Sequence, residues 1–270
     1  MATQTIQHFF HADSGTISYV VSDTHTREAI IIDPVADYDV TTNKVSFESA
    51  QKILDYLDAN QLHVTAIMET HVHADHLSGS FHLSKVLGAP IHISEKVKEV
   101  YSSWKDELAL SEMYHFEHLL LDQEHLDFGD SHLEVIDTPG HTPSDVTYKI
   151  GDALFVGDSL FHHGTGRADF PGGSAEKMFE SLQKLYQLED STEVYLCHNY
   201  PDDEEHLIHK TTIGEEKHEN SFLTDHTSKA DFVEKRESRD HQLAQPKLIS
   251  PALRYNLTAE NPTNERLNRH

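Results

Sequence analysis

The chain is poor in cysteine, poor in positive charge and without long apolar runs, and each shortage excludes a class of protein. A single cysteine, Cys197, in 270 residues cannot build a disulfide framework, a thiolate zinc finger or an iron–sulfur cluster. A reducing cytoplasm is the expected compartment. Lys and Arg number 21 against 46 Asp and Glu, a net charge of -25 with histidine neutral. Such a field repels nucleic acid, which needs a basic face. Its ordinary consequence is a solvated surface that keeps the protein in solution. No apolar run exceeds the four residues of Ala29 to Ile32, so no membrane helix is expected. No charged start followed by an apolar stretch marks a secretory signal. No glycine-rich phosphate fingerprint follows the first strand, which argues against a dinucleotide-binding fold.

What remains is a globular mix, 37% hydrophobic and 25% charged, long enough to bury a real core. The 23 histidines stand out. Protonating them all would cancel nearly the whole negative charge, so poor solubility is expected just below pH 6. Most must be ordinary surface residues, and a metal site has to be argued from spacing.

The pattern alternates strands and helices. Thr16 to Val21 and Ala29 to Ile32 read as paired strands, the second ended by Asp33-Pro34. Ser46 to Ala59 has helical spacing, with Phe47, Ala50, Ile53, Leu54 and Leu57 on one face. Val64 to Met68 suits a buried strand and runs through Glu69-Thr70 into His71. Leu77 to Leu87 reads as a helix stopped by Gly88 and Pro90. Residues 94 to 130 read as helical pieces and a surface loop. Strand signals return at Leu133 to Ile136, Val146 to Ile150, Ala153 to Val156 and Glu193 to Cys197, with an amphipathic segment from Ser174 to Leu188. Residues 202 to 245 read as charged and mostly helical, and Asn261 to His270 as a loose polar end. The expected architecture is α/β, a two-sheet core with helices outside. We expect one domain over residues 1–270, with a mostly helical region from about 202 onward packed on it.

Thr70-His71-Val72-His73-Ala74-Asp75-His76 places three imidazoles and a carboxylate immediately after a buried strand. Alternate residues His71 and His73 can point the same way. Imidazole and carboxylate together suit zinc, iron or manganese. The same grammar, an apolar strand with a ligand type at its mouth, recurs at Gly140-His141, Gly157-Asp158 and Cys197-His198. A lone histidine after a strand is usually a surface residue; four such loops in one chain point to a metal centre.

In this order, HxHxDH, GH, GD and CH, the chain resembles the metallo-β-lactamase fold. The string Gly164-Thr165-Gly166-Arg167-Ala168-Asp169-Phe170-Pro171-Gly172-Gly173 is similar to that of the persulfide (sulfur) dioxygenases, in their bacterial β-lactamase-hydrolase-like branch. Phe9-Phe10, Ser18 to Asp23, Glu69-Thr70-His71, Tyr195 to Tyr200 and Gln245 to Leu248 extend the resemblance over about residues 8 to 257. It implies an αββα sandwich of two mixed sheets, with the metal at their open edge. It further implies one Fe(II) per chain, held by His71, His141 and Asp158, a facial triad that leaves positions for a substrate sulfur and O2. His73, Asp75, His76 and His198 match positions that bind metal in hydrolase relatives and that surround and orient the ligands in the dioxygenases. The implied reaction oxidises the terminal sulfur of glutathione persulfide, or another low-molecular-weight thiol persulfide, to sulfite. That substrate brings its own reacting sulfur, so Cys197 reads as a packed strand residue.

Arg167 matches the family arginine. It either locks its loop by pairing with Asp169 or another carboxylate, or reaches a carboxylate of glutathione. Tyr200 either lines the thiol pocket or packs in the core. Two positions depart from the relatives: Asn199 stands where they have Asp, and Asn256-Leu257-Thr258-Ala259-Glu260 lacks the arginine of their C-terminal ending. Dimers are common in the family, so a homodimer is among the assemblies expected. The alternative reading is a dinuclear zinc thioester hydrolase of the glyoxalase II type. It would use His71, His73 and His141 on one metal, Asp75, His76 and His198 on the other, and Asp158 as the bridge, with a metal-bound hydroxide attacking the thioester. A metal-binding sensor without turnover is the third reading.

Overall fold

The computed structural model describes residues 4–262. Strand β1 (Gln4–His11) pairs antiparallel with β2 (Thr16–Asp23), and β2 with β3 (Glu28–Ile32). After the short β4 (Val35–Asp39) and β5 (Lys44–Ser46), helix α1 (Glu48–Asn60) leads to β6 (His63–Met68), which lies parallel to β3. Then come β7 (Leu77–Ser78), α2 (Ser80–Leu87), β8 (Ile91–Ser94), α3 (Val97–Trp104) and β9 (His118–Leu120). The first sheet has the order β1-β2-β3-β6-β8-β9, while β5, β4 and β7 form a small sheet of their own.

The second sheet takes its strands in chain order: β10 (His125–Phe128), β11 (Ser131–Asp137), β12 (Val146–Ile150), β13 (Ala153–Phe155), β14 (Glu193–Tyr195) and β15 (Lys210–Thr212). Its pairings are antiparallel except β13 with β14, which are parallel and joined through α4 (Ala175–Leu185). Helices α5 (Ile213–Glu219), α6 (Lys229–Asp240) and α7 (Ile249–Thr258) follow.

The period-two alternation of β2 explains the layering. Ile17, Tyr19 and Val21 point between the sheets and meet Leu133, Val135, Tyr148 and Phe155. Val20 points the other way, onto Ala50, Ile53 and Leu57 of α1. All eight residues of β2 are buried, as expected of a strand covered on both faces. On the far side Leu154 and Val194 carry Met178, Leu182 and Leu185 of α4, with Phe232 of α6 beyond. The result is the αββα sandwich that the sequence suggested, two mixed sheets flanked by helices.

Several elements differ from expectation. The stretch 94–130 contains the strands β9 and β10 beside its one helix, and β1 had no strand reading at all. The helix expected from Leu77 starts only at Ser80, because Leu77 and Ser78 pair with Ala36 and Val35. Lys210–Thr212 is an edge strand inside the region expected to be helical, paired with β14. These strands are short or lie at sheet edges, and their partners rather than their own patterns create them. The loose C-terminal end expected from Asn261 falls, from residue 263 onward, outside the described residues. Among the described residues no helix is long and apolar enough to cross a membrane.

The two sheets are stitched together along one rim. The Val146 amide donates to the Thr70 carbonyl at 2.9 Å, and the Ile17 amide to the Cys197 carbonyl at 2.7 Å. The Tyr148 hydroxyl donates to the Glu69 carbonyl at 2.6 Å, and that of Tyr19 to Leu196 at 2.6 Å. These bonds tie the loops after β6 and β14 to the opposite sheet, and the loops carry His71 and His198.

Candidate metal centre

The loop after β6 is held before any ligand is considered. Asp33, at the end of β3, accepts the Thr70 amide and the Thr70 hydroxyl, both at 2.7 Å. The buried Glu69 carboxylate receives the hydroxyls of Ser78 and Ser80. From α7, the Asn256 side chain donates to the carbonyls of His73 (2.8 Å) and His76 (2.9 Å) and accepts the Ser78 amide (2.7 Å). Gly157 sits at φ +52, and a Cβ there would lie 2.6 Å from the Thr70 hydroxyl. Only glycine brings the Asp158 loop this close to the His71 loop. At Gly166 a Cβ would lie 2.1 Å from the Asp158 carbonyl, which gives the Gly-Thr-Gly-Arg string a packing reason.

Hydrogen bonding assigns the ring nitrogens. The Thr70 hydroxyl spends its proton on Asp33, so it can only accept from Nδ1 of His71 at 2.9 Å. Nδ1 of His141 donates to the Arg167 carbonyl at 2.8 Å. Both rings therefore turn an Nε2 lone pair inward, onto Asp158 Oδ2, at 4.0 Å from His71 and 3.6 Å from His141. The three ligand atoms lie within 4.8 Å of one another. His71 Nε2 and Asp158 Oδ1 are buried without a hydrogen-bond partner. Lone pairs converging in a buried place without a donor repel each other, and a cation removes that cost. The donor set, two imidazoles and a carboxylate, is one that divalent transition metals take. The expected residues thus fit a metal ion.

The remaining four histidine and aspartate positions lie beside this group. His73, Asp75 and His76 form a second cluster within 4.8 Å. His198 Nε2 stands 3.5 Å from Asp75 Oδ2 and 3.4 Å from Asp158 Oδ1. Nε2 of His73 lies 3.1 Å from Asp33 and 3.4 Å from Glu69, while its Nδ1 is buried and unpartnered. Burial opposes charge on His73, but Asp33 and Glu69 hold it well above the usual imidazole range. Burial, then the neighbouring His73 and His141, push His71 well below it. Burial would raise the Asp75 carboxyl, yet His198 and His76 keep it well below the usual range. Cys197 is buried, its thiol pushed up by burial and by the nearby Asp33 and Asp158 carboxylates.

A cavity of about 380 Å³ opens onto Asp75, His141, Asp158 and His198. Its walls include Phe161, Phe170, Tyr200, Phe222 and three arginines, Arg167, Arg236 and Arg239. Arg167 forms the paired bonds to Asp169, at 2.6 and 2.8 Å, and a third to the Ala244 carbonyl at 2.8 Å. The loop-locking pair is therefore present. Tyr200 is exposed rather than packed in the core, its ring parallel to that of His198 with centroids 6.0 Å apart. Asn199, the departure from Asp, accepts the Ile208 amide at 3.1 Å. Asp33, Glu69, Arg236 and Arg239 carry no local sequence signal that marks them as site residues. Asn256 stands out only as part of a divergent ending. Asp33-Pro34 after a strand was the one visible hint. The others depend on contacts up to 183 residues apart in the chain, as between Asn256 and His73.

The family model of the metallo-beta-lactamase superfamily matches residues 13–198. The chain belongs to that superfamily. It is 36% identical over 263 residues to "Glyoxylase B2" of Dictyostelium discoideum, covering 94% of this chain and 90% of that protein. It is 37% identical to a "Beta-lactamase hydrolase-like protein" of Xylella fastidiosa, covering 94% of this chain but 60% of that protein's length. It is 30% identical to the mitochondrial persulfide dioxygenase ETHE1 of Bos taurus, over 81% of this chain and 76% of that protein. Among solved structures, ETHE1 from Myxococcus xanthus superposes with a TM-score of 0.77 at 29% identity, covering 93% of this chain and 97% of that one.

Proposed function

We propose that the protein is a persulfide dioxygenase. It would convert a thiol persulfide, O2 and water to sulfite and the free thiol, with glutathione persulfide as the expected substrate. The observation that carries this reading is the group of His71, His141 and Asp158, two of whose members face a cavity large enough for a small thiol. The likeness to persulfide dioxygenases supports it. These three residues would hold one Fe(II), and a ferrous ion bound there would supply open positions and activate O2, the four electrons that reduce it coming from the persulfide's outer sulfur as it becomes sulfite. The chain's own residues do the rest. The Arg167 carbonyl fixes the His141 ring by accepting its Nδ1 proton. The Arg167–Asp169 pair holds that carbonyl's loop in place. Arg239, exposed on the cavity wall, offers a planar fork to a substrate carboxylate. Phe161, Phe170 and the Tyr200 ring narrow the approach and displace water from it.

A second reading has its own observation. His73, Asp75, His76 and His198 lie beside the first group, which supports a dinuclear zinc thioester hydrolase, and the similarity to "Glyoxylase B2" accords with it. One experiment separates the two. Protein loaded anaerobically with iron is given glutathione persulfide, and oxygen uptake and sulfite are measured together. Stoichiometric uptake and sulfite release, abolished in His141→Ala and Asp158→Ala, establish the dioxygenase. No uptake by protein carrying one iron per chain, with S-lactoylglutathione hydrolysis by protein carrying two zinc ions, establishes the hydrolase.

A further inference from the structure

Beyond Phe161, whose ring meets His198 edge-on at 5.9 Å, the chain makes a tight turn with two histidines at its tip. The Phe161 amide donates to the Gly164 carbonyl at 2.9 Å and the Gly164 amide to Phe161 at 3.1 Å, closing the turn around His162 and His163. In an extended strand these neighbours would point to opposite sides. Here His163 takes the left-handed conformation, at φ +55. Both rings then fall on one side, stacked with centroids 3.8 Å apart and planes inclined by 24°. Few non-glycine residues adopt that backbone, histidine more readily than most, and several bonds hold it in place. The His163 amide donates to both oxygens of Glu216 at 3.1 Å, the Asn220 side chain to the Gly164 carbonyl at 2.9 Å, and the Ser221 amide to the His163 carbonyl at 3.0 Å.

Helix α5 supplies the other half. Glu215 Oε1 lies 3.3 Å from His162 Nε2 and 3.1 Å from His163 Nε2, so both imidazoles converge on one carboxylate oxygen. Glu219, one helical turn further on, brings Oε2 to 3.6 Å from His163 Nε2. His162, His163 and Glu215 place their ligand atoms within 4.8 Å of one another. All four side chains are partly open to solvent, so a hydrated ion can reach them. None belongs to the metal centre described above.

We propose that His162, His163, Glu215 and Glu219 form a second metal site, for a borderline divalent cation of the zinc class. Two imidazoles with one or two carboxylates are a donor set that zinc, nickel and cobalt accept and that magnesium and calcium, which take oxygen ligands, do not favour. Bound there, the ion would fasten the turn that follows Asp158 onto α5, adding a strut behind the cavity wall formed by Phe161. The inference is independent of which reaction the main centre catalyses.

The test is a difference in zinc content. Wild type, the double variant His162→Gln/His163→Asn, and Glu215→Gln are dialysed against the same micromolar free zinc, and zinc per chain is measured by atomic emission. Asparagine tolerates the left-handed conformation at 163, so the double variant is built to keep the turn; Glu215→Gln alters a half-exposed side chain and stands as the second probe if the double variant does not fold. The main centre is untouched in all three, so its zinc cancels from the comparison. Both variants are expected to hold one zinc ion per chain fewer than wild type. Equal zinc in wild type and in folded variants would overturn the proposal and leave Glu215 as a shared hydrogen-bond acceptor for two histidines.

Discussion

Replacing Asn256 by alanine tests whether the C-terminal helix organises the metal loop. The wild-type side chain is buried and makes three bonds, to the carbonyls of His73 and His76 and from the Ser78 amide. Alanine leaves all three backbone groups without that partner. A buried group left unsatisfied costs about 1–3 kcal/mol, the amide more than the carbonyls, which keep a second lone pair. The expected loss is about 3–6 kcal/mol. At roughly 2–4 °C per kcal/mol for a chain of this size, the melting temperature should fall by about 10 °C. The same loop carries His71, one of the three candidate ligands, so metal affinity should fall about 10- to 100-fold, as when a ligand's supporting bond is removed. Asn256→Asp is the informative companion. It keeps an acceptor for Ser78 but sets a carboxylate against two carbonyls, and should be no better than alanine. Thermal melts of the metal-free protein and a zinc titration read both effects. A melting temperature for Asn256→Ala within about 2 °C of wild type, with unchanged metal affinity, would refute the idea that α7 holds this loop.

Three further outcomes are expected. Arg167→Lys should lose about 1–2 kcal/mol, less than a fully buried pair because Asp169 is partly exposed, since a point charge cannot reproduce three directed bonds; chemical denaturation measures it, and an unchanged midpoint would mean the pair is idle. Metal removal should destabilise: if the ion was present at about 100 times its Kd, chelation withdraws about 2.7 kcal/mol, or roughly 5–10 °C of melting temperature, and His71→Ala should make the protein indifferent to the chelator. Asp23 accepts from Ser131, Thr26 and His25, and these bonds lower its carboxyl to about 2. Because the folded value lies below the unfolded one, its contribution is complete above about pH 4 and is lost as pH falls toward 2. Asp23→Asn should weaken the fold at neutral pH and flatten the decline in stability over that acid range; an unchanged slope in denaturant melts across it would contradict the assignment.

The candidate ligands and the strands that carry them were legible in the sequence because both signals are local. Val64 to Met68 is apolar enough to be buried, and His71 stands three residues past its end; Asp158 and His198 likewise stand just past short apolar strands. Strand β2 alternates with period two, and α1 repeats its apolar positions with helical spacing. The edge strands β9, β10 and β15 were not legible, because short segments of mixed polarity become strands only when a neighbour offers its backbone. Nor could spacing show that Asp33 binds Thr70 and thereby turns the His71 lone pair inward, since that depends on one hydroxyl having already spent its proton. The sequence by itself determined which groups could hold a metal and that two sheets would bear them. Tertiary structure decided which nitrogen of each ring faces the centre, that Arg167 is paired with Asp169, that Asn256 reaches back to the loop, and that two adjacent histidines share one face. Each of these depends on directed bonds between residues far apart in the chain, and direction appears only once the backbone has closed around them.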